Sequence, residues 1–207
     1  MHVAVITPPA ALVTASEAKL QAPVFAADDD QRVTALLSVA QSQLERSWIG
    51  RAFGAQTLEL RLDGLDEREI MLPWPPLRRV LSIVSLSEAG EAQAVDPASY
   101  LVFGVGSRCG SVAPVGGRWP SVPRRAEAIR IRFEAGYAAD DPALAAPRHA
   151  VILIATQLRS LGTQDLSLRS EEVAGIGATT WTVSDAAEKL IRSAVDDLLA
   201  DYAVWSC

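Results

Sequence analysis

Residues 56–62 read Gln-Thr-Leu-Glu-Leu-Arg-Leu, and this stretch decides the fold class. Leu58, Leu60 and Leu62 alternate with polar residues, which is the pattern of a β-strand with one buried face. The residues before it follow a helical spacing instead. The chain is therefore expected to change from helix to strand near residue 56.

The strand pattern continues to about residue 137. Short apolar runs separated by glycine and proline predict further strands at 70–72, 80–86, 100–102, 111–113 and 128–133. Residues 88–91 predict a hairpin tip, and Pro73-Trp74-Pro75-Pro76 predicts a rigid bend because proline cannot donate to a sheet ladder. Strands this short and interrupted favour a small antiparallel sheet or an open barrel over a parallel sheet.

Helical patterns precede the β block. Thr14 or Ser16 could cap a short helix that Pro23 stops. Residues 28–30 are three aspartates, which complement the dipole of a following one-sided helix that is expected to end near Gly50.

Helical patterns also follow the β block. Residues 144–161 contain a nearly continuous apolar block at 151–155, which indicates a buried central helix. Residues 162–180 are polar, contain glycine and lack periodicity, and they predict a loop that is mobile or ordered by a partner. The final helix, with Thr182 and Ser184 as candidate caps, carries an apolar stripe formed by Ala187, Leu190, Ile191, Ala194, Val195, Leu198, Leu199 and Tyr202.

The order of helices, strands and helices predicts an α+β fold. We expect a helical layer formed by both chain ends, an inserted small antiparallel β-sheet or open barrel, and a long C-terminal helix. No linker separates independent domains. We therefore expect a single domain over residues 1–207, with an N-terminal arm and helices at 1–55, a β insertion at 56–137 and C-terminal helices at 142–207.

Charge and composition narrow the classes of function. The 25 acidic and 19 basic residues give a net charge of −6, which argues against a dedicated nucleic-acid binder. The longest apolar stretch, 150–156, is far too short to span a bilayer. The two cysteines, Cys109 and Cys207, suggest neither a disulfide framework nor a thiol metal site, and they fit a reducing cytoplasm.

The inventory of catalytic residues is small. His2 and His149 are the two histidines, and a small hydrolase that uses His149 with Asp140 or Asp141 is one alternative function. No Cys or His pair has the spacing of zinc ligands, and no Walker or dinucleotide motif occurs, so we expect neither metal nor cofactor. A DNA-binding accessory factor is a further alternative.

Two tryptophans lie where a partner would be expected to bind. Trp181 lies where the long loop meets the last helix, and Trp205 lies in the tail. Aromatic residues in such segments often become buried against a partner. Packing onto the chain's own core is the alternative.

Several short motifs follow one another along the chain, namely Ile6–Ala10, Glu17–Lys19, Leu44-Glu45, Gly50–Phe53, Gln56–Leu58, Leu72–Leu77, Val84–Gly90, Tyr100–Val102, Trp119-Pro120 and Ile131–Tyr137. In this order they resemble the head-to-tail connector (adaptor, or head completion) proteins of long-tailed phages, prophages and gene transfer agents. The resemblance covers most of the chain up to Leu161. Residues 21–25 and 162–180 depart from the pattern, whereas 198–202 resemble its close.

The resemblance implies a non-enzymatic subunit of the neck of a phage-like particle, assembled in the bacterial cytoplasm. It implies a twelve-fold homo-oligomeric ring beneath the portal protein. This ring would receive the stopper or tail-completion protein and let double-stranded DNA pass without sequence-specific binding, with no membrane involved. On this basis Leu198, Tyr202 and Trp205 are expected to contact the portal. The loop from Glu171 to Trp181 is expected to contact a neighbouring ring or the next component.

Overall fold

The computed structural model describes residues 2–65, 68–87, 89–119, 125–163, 171–173, 177–179 and 185–202. The described helices are α1 (Ala15–Gln21), α2 (Asp30–Gln43), α3 (Ala145–Thr163) and α4 (Asp185–Leu199). The described strands are β1 (His2–Thr7), β2 (Gln56–Leu62), β3 (Ile70–Leu72), β4 (Leu77–Leu86), β5 (Ala92–Ala94), β6 (Tyr100–Phe103), β7 (Gly110–Pro114), β8 (Ile129–Ala135), β9 (Glu171–Val173) and β10 (Gly177–Thr179). The predicted α+β class is confirmed.

The chain divides into two compact units. Residues 1–12, 45–144 and 202–207 form a β unit, and residues 13–44 and 145–201 form a helical unit. Both ends of the chain contribute helices to the helical unit, as predicted. The expectation of a single domain over residues 1–207 stays a prediction.

The β unit contains two antiparallel sheets. The larger has the strand order β1-β2-β8-β4-β5, and the smaller has the order β3-β7-β6. The register pairs Leu58 with Phe133 and Leu60 with Ile131, which places these four buried side chains on one face of the larger sheet. The described strands form open sheets and no closed barrel, so the first of the two predicted arrangements is the one observed.

The first residues of the chain are a strand and not an arm. β1 pairs with β2, with Val3 opposite Leu60 and Val5 opposite Leu58. Both valines pack against the core of the β unit. The sequence predicted an arm because Pro8-Pro9, which follows the strand, signals the end of regular secondary structure. The six residues of β1 are too few to show the alternating pattern of a strand.

The helical unit is built around α3. Ala150, Val151, Ile152, Ile154 and Ala155 are buried, which confirms the predicted central helix. α3 packs against both α2 and α4, and α1 packs against α2. An ion pair between Arg159 of α3 and Asp28 lies just before α2.

The predicted caps of the first two helices are confirmed. Thr14 Oγ1 accepts a hydrogen bond from Glu17 N (3.3 Å), and Glu17 Oε2 accepts one from Thr14 N (2.8 Å), which is a capping box. Asp29 Oδ1 accepts from Arg32 N (2.8 Å) at the start of α2. The caps predicted at Thr182 and Ser184 lie outside the described residues.

Within the stretch predicted as a loop at 162–180, the structure describes the end of α3 and two short strands. α3 continues through residue 163, and β9 pairs with β10 in an antiparallel register that sets 171 opposite 179. Strands of three residues are too short to show an alternating pattern, so the sequence could not reveal them.

The sulfur of Cys109 is disulfide-bonded. The sequence predicted no disulfide framework, and a single bond is not such a framework. The spacing of cysteines along a chain does not report which residues meet in the fold, so this bond had no signal in the sequence.

Candidate assembly surfaces

A buried carboxylate organises the junction between helix and sheet. Glu45 lies in a π-helical turn, Leu44–Ile49, and is 3% exposed. Its Oε1 accepts hydrogen bonds from Phe53 N (3.0 Å) and Gly54 N (2.8 Å), and its Oε2 accepts one from Gln56 Nε2 (3.1 Å). These bonds fix the path of residues 50–55 between the turn and β2.

Arg51 lies in this fixed segment and is 4% exposed. Its Nη1 donates to Tyr137 Oη (2.6 Å), and its guanidinium lies 5.8 Å from the centre of the Tyr202 ring. Its Nε and Nη2 are buried and have no hydrogen-bond partner among the residues that the structure describes. Arg51 is therefore a buried cation that is only partly satisfied.

Tyr202, one of the predicted portal contacts, packs within the β unit. Its hydroxyl donates to Ala143 O (2.6 Å), and its ring meets the buried Phe53 ring edge-on at 5.5 Å. Phe53 also stacks on Tyr137, with ring centres 6.2 Å apart. The Tyr202 side chain is half-buried, so one part of it serves the chain's own fold and the other part faces solvent.

The outward face of the larger sheet carries paired charges. Glu59 accepts from Arg61 Nε (2.9 Å) and from Arg132 Nη2 (2.8 Å), and Arg61 Nη1 also donates to Glu127 (3.0 Å). Burial opposes ionisation of the Glu59 carboxyl, but the bonds from Arg132 and Arg61 outweigh it, so its pKa lies below the ordinary value. These pairs occupy Arg61 and Arg132 with carboxylates of the same chain.

The same face continues onto β4. Arg79 donates from Nε (2.8 Å) and Nη2 (2.7 Å) to the two oxygens of Glu134. This bidentate bond holds the pKa of Glu134 below its ordinary value. Of the two adjacent arginines at 78 and 79, the second is therefore engaged in an ion pair within the chain.

The edge of the smaller sheet is apolar and exposed. β6 pairs on one side with β7 and ends the sheet on its other side. Leu101 is 50% exposed and Phe103 is 47% exposed, and Val105 beyond them is also exposed. No charged residue lies between 97 and 106, although charges are a common protection of edge strands. Such an edge is a candidate contact surface.

The C-terminal helix carries the second predicted contact, Leu198. Val195 and Leu199 are buried in the helical unit, Leu198 is half-buried, and Leu190 is 72% exposed. The predicted stripe therefore does not pack along its whole length. Glu171 is the first residue of β9. Trp181 and Trp205 lie outside the described residues, so all five contact assignments stay predictions.

The residues of the hydrolase alternative cap a turn or lie exposed on the surface. Asp141 Oδ1 accepts a hydrogen bond from Ala143 N (2.9 Å) and so caps the turn at 142–144. Asp140 is exposed in the β unit, and His149 is an exposed side chain on α3. No specific geometry in the described residues favours the hydrolase.

The described part of the chain contains no group of three or more His, Cys, Asp or Glu side chains that could hold a metal ion. None of its helices is both long and apolar enough to cross a membrane.

No protein-family model matches this chain, and no curated protein does. Solved structures do match. A chain in "Neck of empty GTA particle computed with C6 symmetry" has a TM-score of 0.70 at 18% identity, with 100% of this chain and 97% of that chain covered. A chain in "Virion of native gene transfer agent (GTA) particle" has a TM-score of 0.70 at 16% identity, with the same coverage.

A third match is a chain in "Neck of native GTA particle computed with C12 symmetry", with a TM-score of 0.66 at 17% identity. It too covers 100% of this chain and 97% of that chain. The resemblance seen in the sequence is thus confirmed at the level of the fold. This chain has the fold of chains found in the neck and virion of gene transfer agent particles.

Proposed function

We propose that this chain is a structural head-to-tail adaptor of a phage-like particle. Copies of it form a ring that joins the portal to the stopper or tail components and lines the DNA channel. The observation that carries the proposal is the end-to-end likeness to chains in particle necks with sixfold and twelvefold symmetry. The role is structural, without catalysis, cofactor or metal.

The exposed edge of the β unit supports assembly into a ring. A closed ring of identical copies uses heterologous contacts, in which two different surfaces of the same chain meet. β6 is an edge strand of the described smaller sheet and exposes uncharged apolar side chains, which suits contact with a second copy. A twelve-fold ring is our proposal for the number of copies.

We assign partner contacts to the two segments that the sequence singled out. Leu198, Tyr202 and Trp205 are proposed to contact the portal. The hydrogen bond from the Tyr202 hydroxyl to Ala143 O anchors the chain in the β unit at the residue where the tail begins. The segment from Glu171 to Trp181 is proposed to contact a neighbouring ring or the stopper.

The distribution of charge suits a channel through which DNA passes without being bound. Residues 13–44 and 145–201 contain 7 basic and 12 acidic residues, a formal charge of −5, which is most of the −6 of the whole chain. Negative surface repels the phosphate backbone and limits nonspecific binding. We place the chain in the particle neck, assembled in the bacterial cytoplasm.

The portal assignment is tested with two truncations of the purified chain. Deleting residues 202–207 removes Tyr202 with the tail, whereas deleting residues 203–207 keeps Tyr202 and serves as the matched variant. We expect both deletions to weaken binding to purified portal protein at least about tenfold, since aromatic anchors dominate such interfaces. Circular dichroism checks that each variant is folded.

The two truncations also separate the roles of the residues. A larger loss for the 202–207 deletion, with equal urea midpoints for the two variants, assigns part of the contact to Tyr202. Unchanged portal binding by the 202–207 deletion would show that the tail assignment is wrong. The ring proposal would then rest on whether the chain still assembles.

A further inference from the structure

Arg51 presents an unusual electrostatic problem within the β unit. A buried charge is costly unless it is paired and hydrogen-bonded. Arg51 is 4% exposed, yet its guanidinium makes one hydrogen bond within the described part of the chain, to the neutral hydroxyl of Tyr137. Its Nε and Nη2 are buried, and no described residue accepts a hydrogen bond from them. The fold therefore retains a guanidinium with two donors that the described chain leaves unpaired.

The two unpaired nitrogens form one edge of the Arg51 guanidinium. Two other arginines of this chain bind carboxylates through the same edge. Arg79 holds Glu134 through Nε and Nη2, at 2.8 Å and 2.7 Å. Arg159 holds Asp28 through the same two nitrogens. Parallel donors of this kind match the two oxygens of a carboxylate. In Arg51 the corresponding pair of donors has no partner in the described part of the chain.

The surroundings of Arg51 hold this pair of donors in place. Arg51 N donates to Glu45 O (3.1 Å), Nη1 is fixed by Tyr137, and Tyr137 N in turn donates to Phe53 O (3.0 Å). The Glu45 carboxylate is already occupied by Phe53, Gly54 and Gln56. A ligand would therefore meet donors that need little reorganisation, which favours binding.

We propose that Nε and Nη2 of Arg51 form a carboxylate-binding site that receives an acidic side chain from a neighbouring protein chain in the assembled particle. Because Arg51 is 4% exposed and the Tyr202 ring lies 5.8 Å from its guanidinium, filling the site requires Tyr202 to move aside. Tyr202 is half-buried, and its hydroxyl donates a hydrogen bond to Ala143 O (2.6 Å). The identity of the donor chain rests on the proposed function, whereas the site itself does not.

The site is first tested on the isolated chain with acetate as the probe. Tyr202→Ala removes the cover, and the double variant Tyr202→Ala with Arg51→Lys keeps the positive charge but loses the paired donors. At pH 7 and matched ionic strength, acetate is expected to raise the melting temperature of Y202A by about 2 °C or more, because ligand binding stabilises the folded state. Acetamide, which has the same shape without charge, should give no rise.

The double variant decides this experiment. We expect its melting temperature to respond to acetate no more than to chloride. An equal acetate response in both variants would overturn the site, because the effect would then not depend on the paired donors of Arg51.

The role in assembly is tested with Arg51→Met in the full chain, with Arg79→Met as the control that removes a surface arginine. Because an unpaired buried charge is removed, R51M should unfold at the same or a higher urea concentration than the wild type. Its association should be at least about tenfold weaker, as expected when a buried charge pair across an interface is lost. R79M should associate like the wild type.

Sedimentation identifies the source of the carboxylate. Weaker self-association of R51M assigns it to a second copy, and weaker binding to portal or stopper protein assigns it to that component. Unchanged association with every partner would overturn the assembly role. If the wild-type chain formed no ring at all, the proposed function would fail, while the acetate result would still decide the site.

Discussion

At the scale of single residues, two buried charges at the junction before β2 are satisfied to different degrees. The Glu45 carboxylate accepts three hydrogen bonds, whereas the Arg51 guanidinium donates one. The first arrangement stabilises the folded chain. The second is a stability cost that becomes useful when a partner supplies the missing anion.

Glu45→Gln is expected to lower the free energy of unfolding by about 1–3 kcal/mol. An amide has one acceptor oxygen, so it cannot serve both the backbone donors of 53–54 and the side-chain amide of Gln56. Urea unfolding at neutral pH measures the loss. The control Glu91→Gln, at an exposed turn, should change stability by less than about 0.5 kcal/mol. Equal stability of E45Q and the control would contradict the account of the junction.

The sequence could single out these residues but not bring them together. It marked Gly50–Phe53 and Ile131–Tyr137 as motifs and Tyr202 as a contact residue. Arg51 and Tyr137 are 86 residues apart, and their hydrogen bond follows from sheet topology. Periodicity reports local structure, so the empty donors of Arg51 had no signal in the sequence.

At the scale of elements, the alternation in β2 predicted a strand with one apolar and one polar face. The structure confirms this, since Leu58 and Leu60 are buried in the core while Glu59 pairs with arginines on the other face. The strand order β1-β2-β8-β4-β5 was not predictable. β8 pairs with strands far from it in sequence, and one-sided alternation does not name the partner of a strand.

The charged ladder on that face predicts how stability depends on pH. The pKa of Glu59 lies below its ordinary value of 4.5 in the folded chain. The ionised carboxylate therefore stabilises the fold above about pH 4.5, and this contribution is lost as the pH falls through the lowered pKa. We expect Glu59→Gln to cost about 1–3 kcal/mol at pH 7 and much less at pH 3.

Urea unfolding of the wild type and E59Q at both pH values measures this difference. Glu91→Gln again provides the control, because its difference from the wild type should stay small at both pH values. A gap between wild type and E59Q that is as large at pH 3 as at pH 7 would contradict an ionic role for Glu59.

At the scale of the whole molecule, the fold and the charge distribution are both compatible with the proposed ring around a DNA channel. The acidic excess lies almost entirely in residues 13–44 and 145–201, and the β unit is nearly neutral with an uncharged open edge at β6. An apolar edge suits contact between protein copies, and acidic surface suits a channel that DNA passes. The order of helices and strands predicted the fold class. Ring assembly involves many copies of the chain, so a single sequence could predict it only through its resemblance to the connector proteins.

Electron cryo-microscopy of the native particle tests the central claim most directly. We predict a ring of twelve copies of this chain between the portal and the stopper or tail components, with DNA or an open channel along the axis. Finding the chain elsewhere in the particle, or finding the neck complete without it, would contradict the proposed adaptor role.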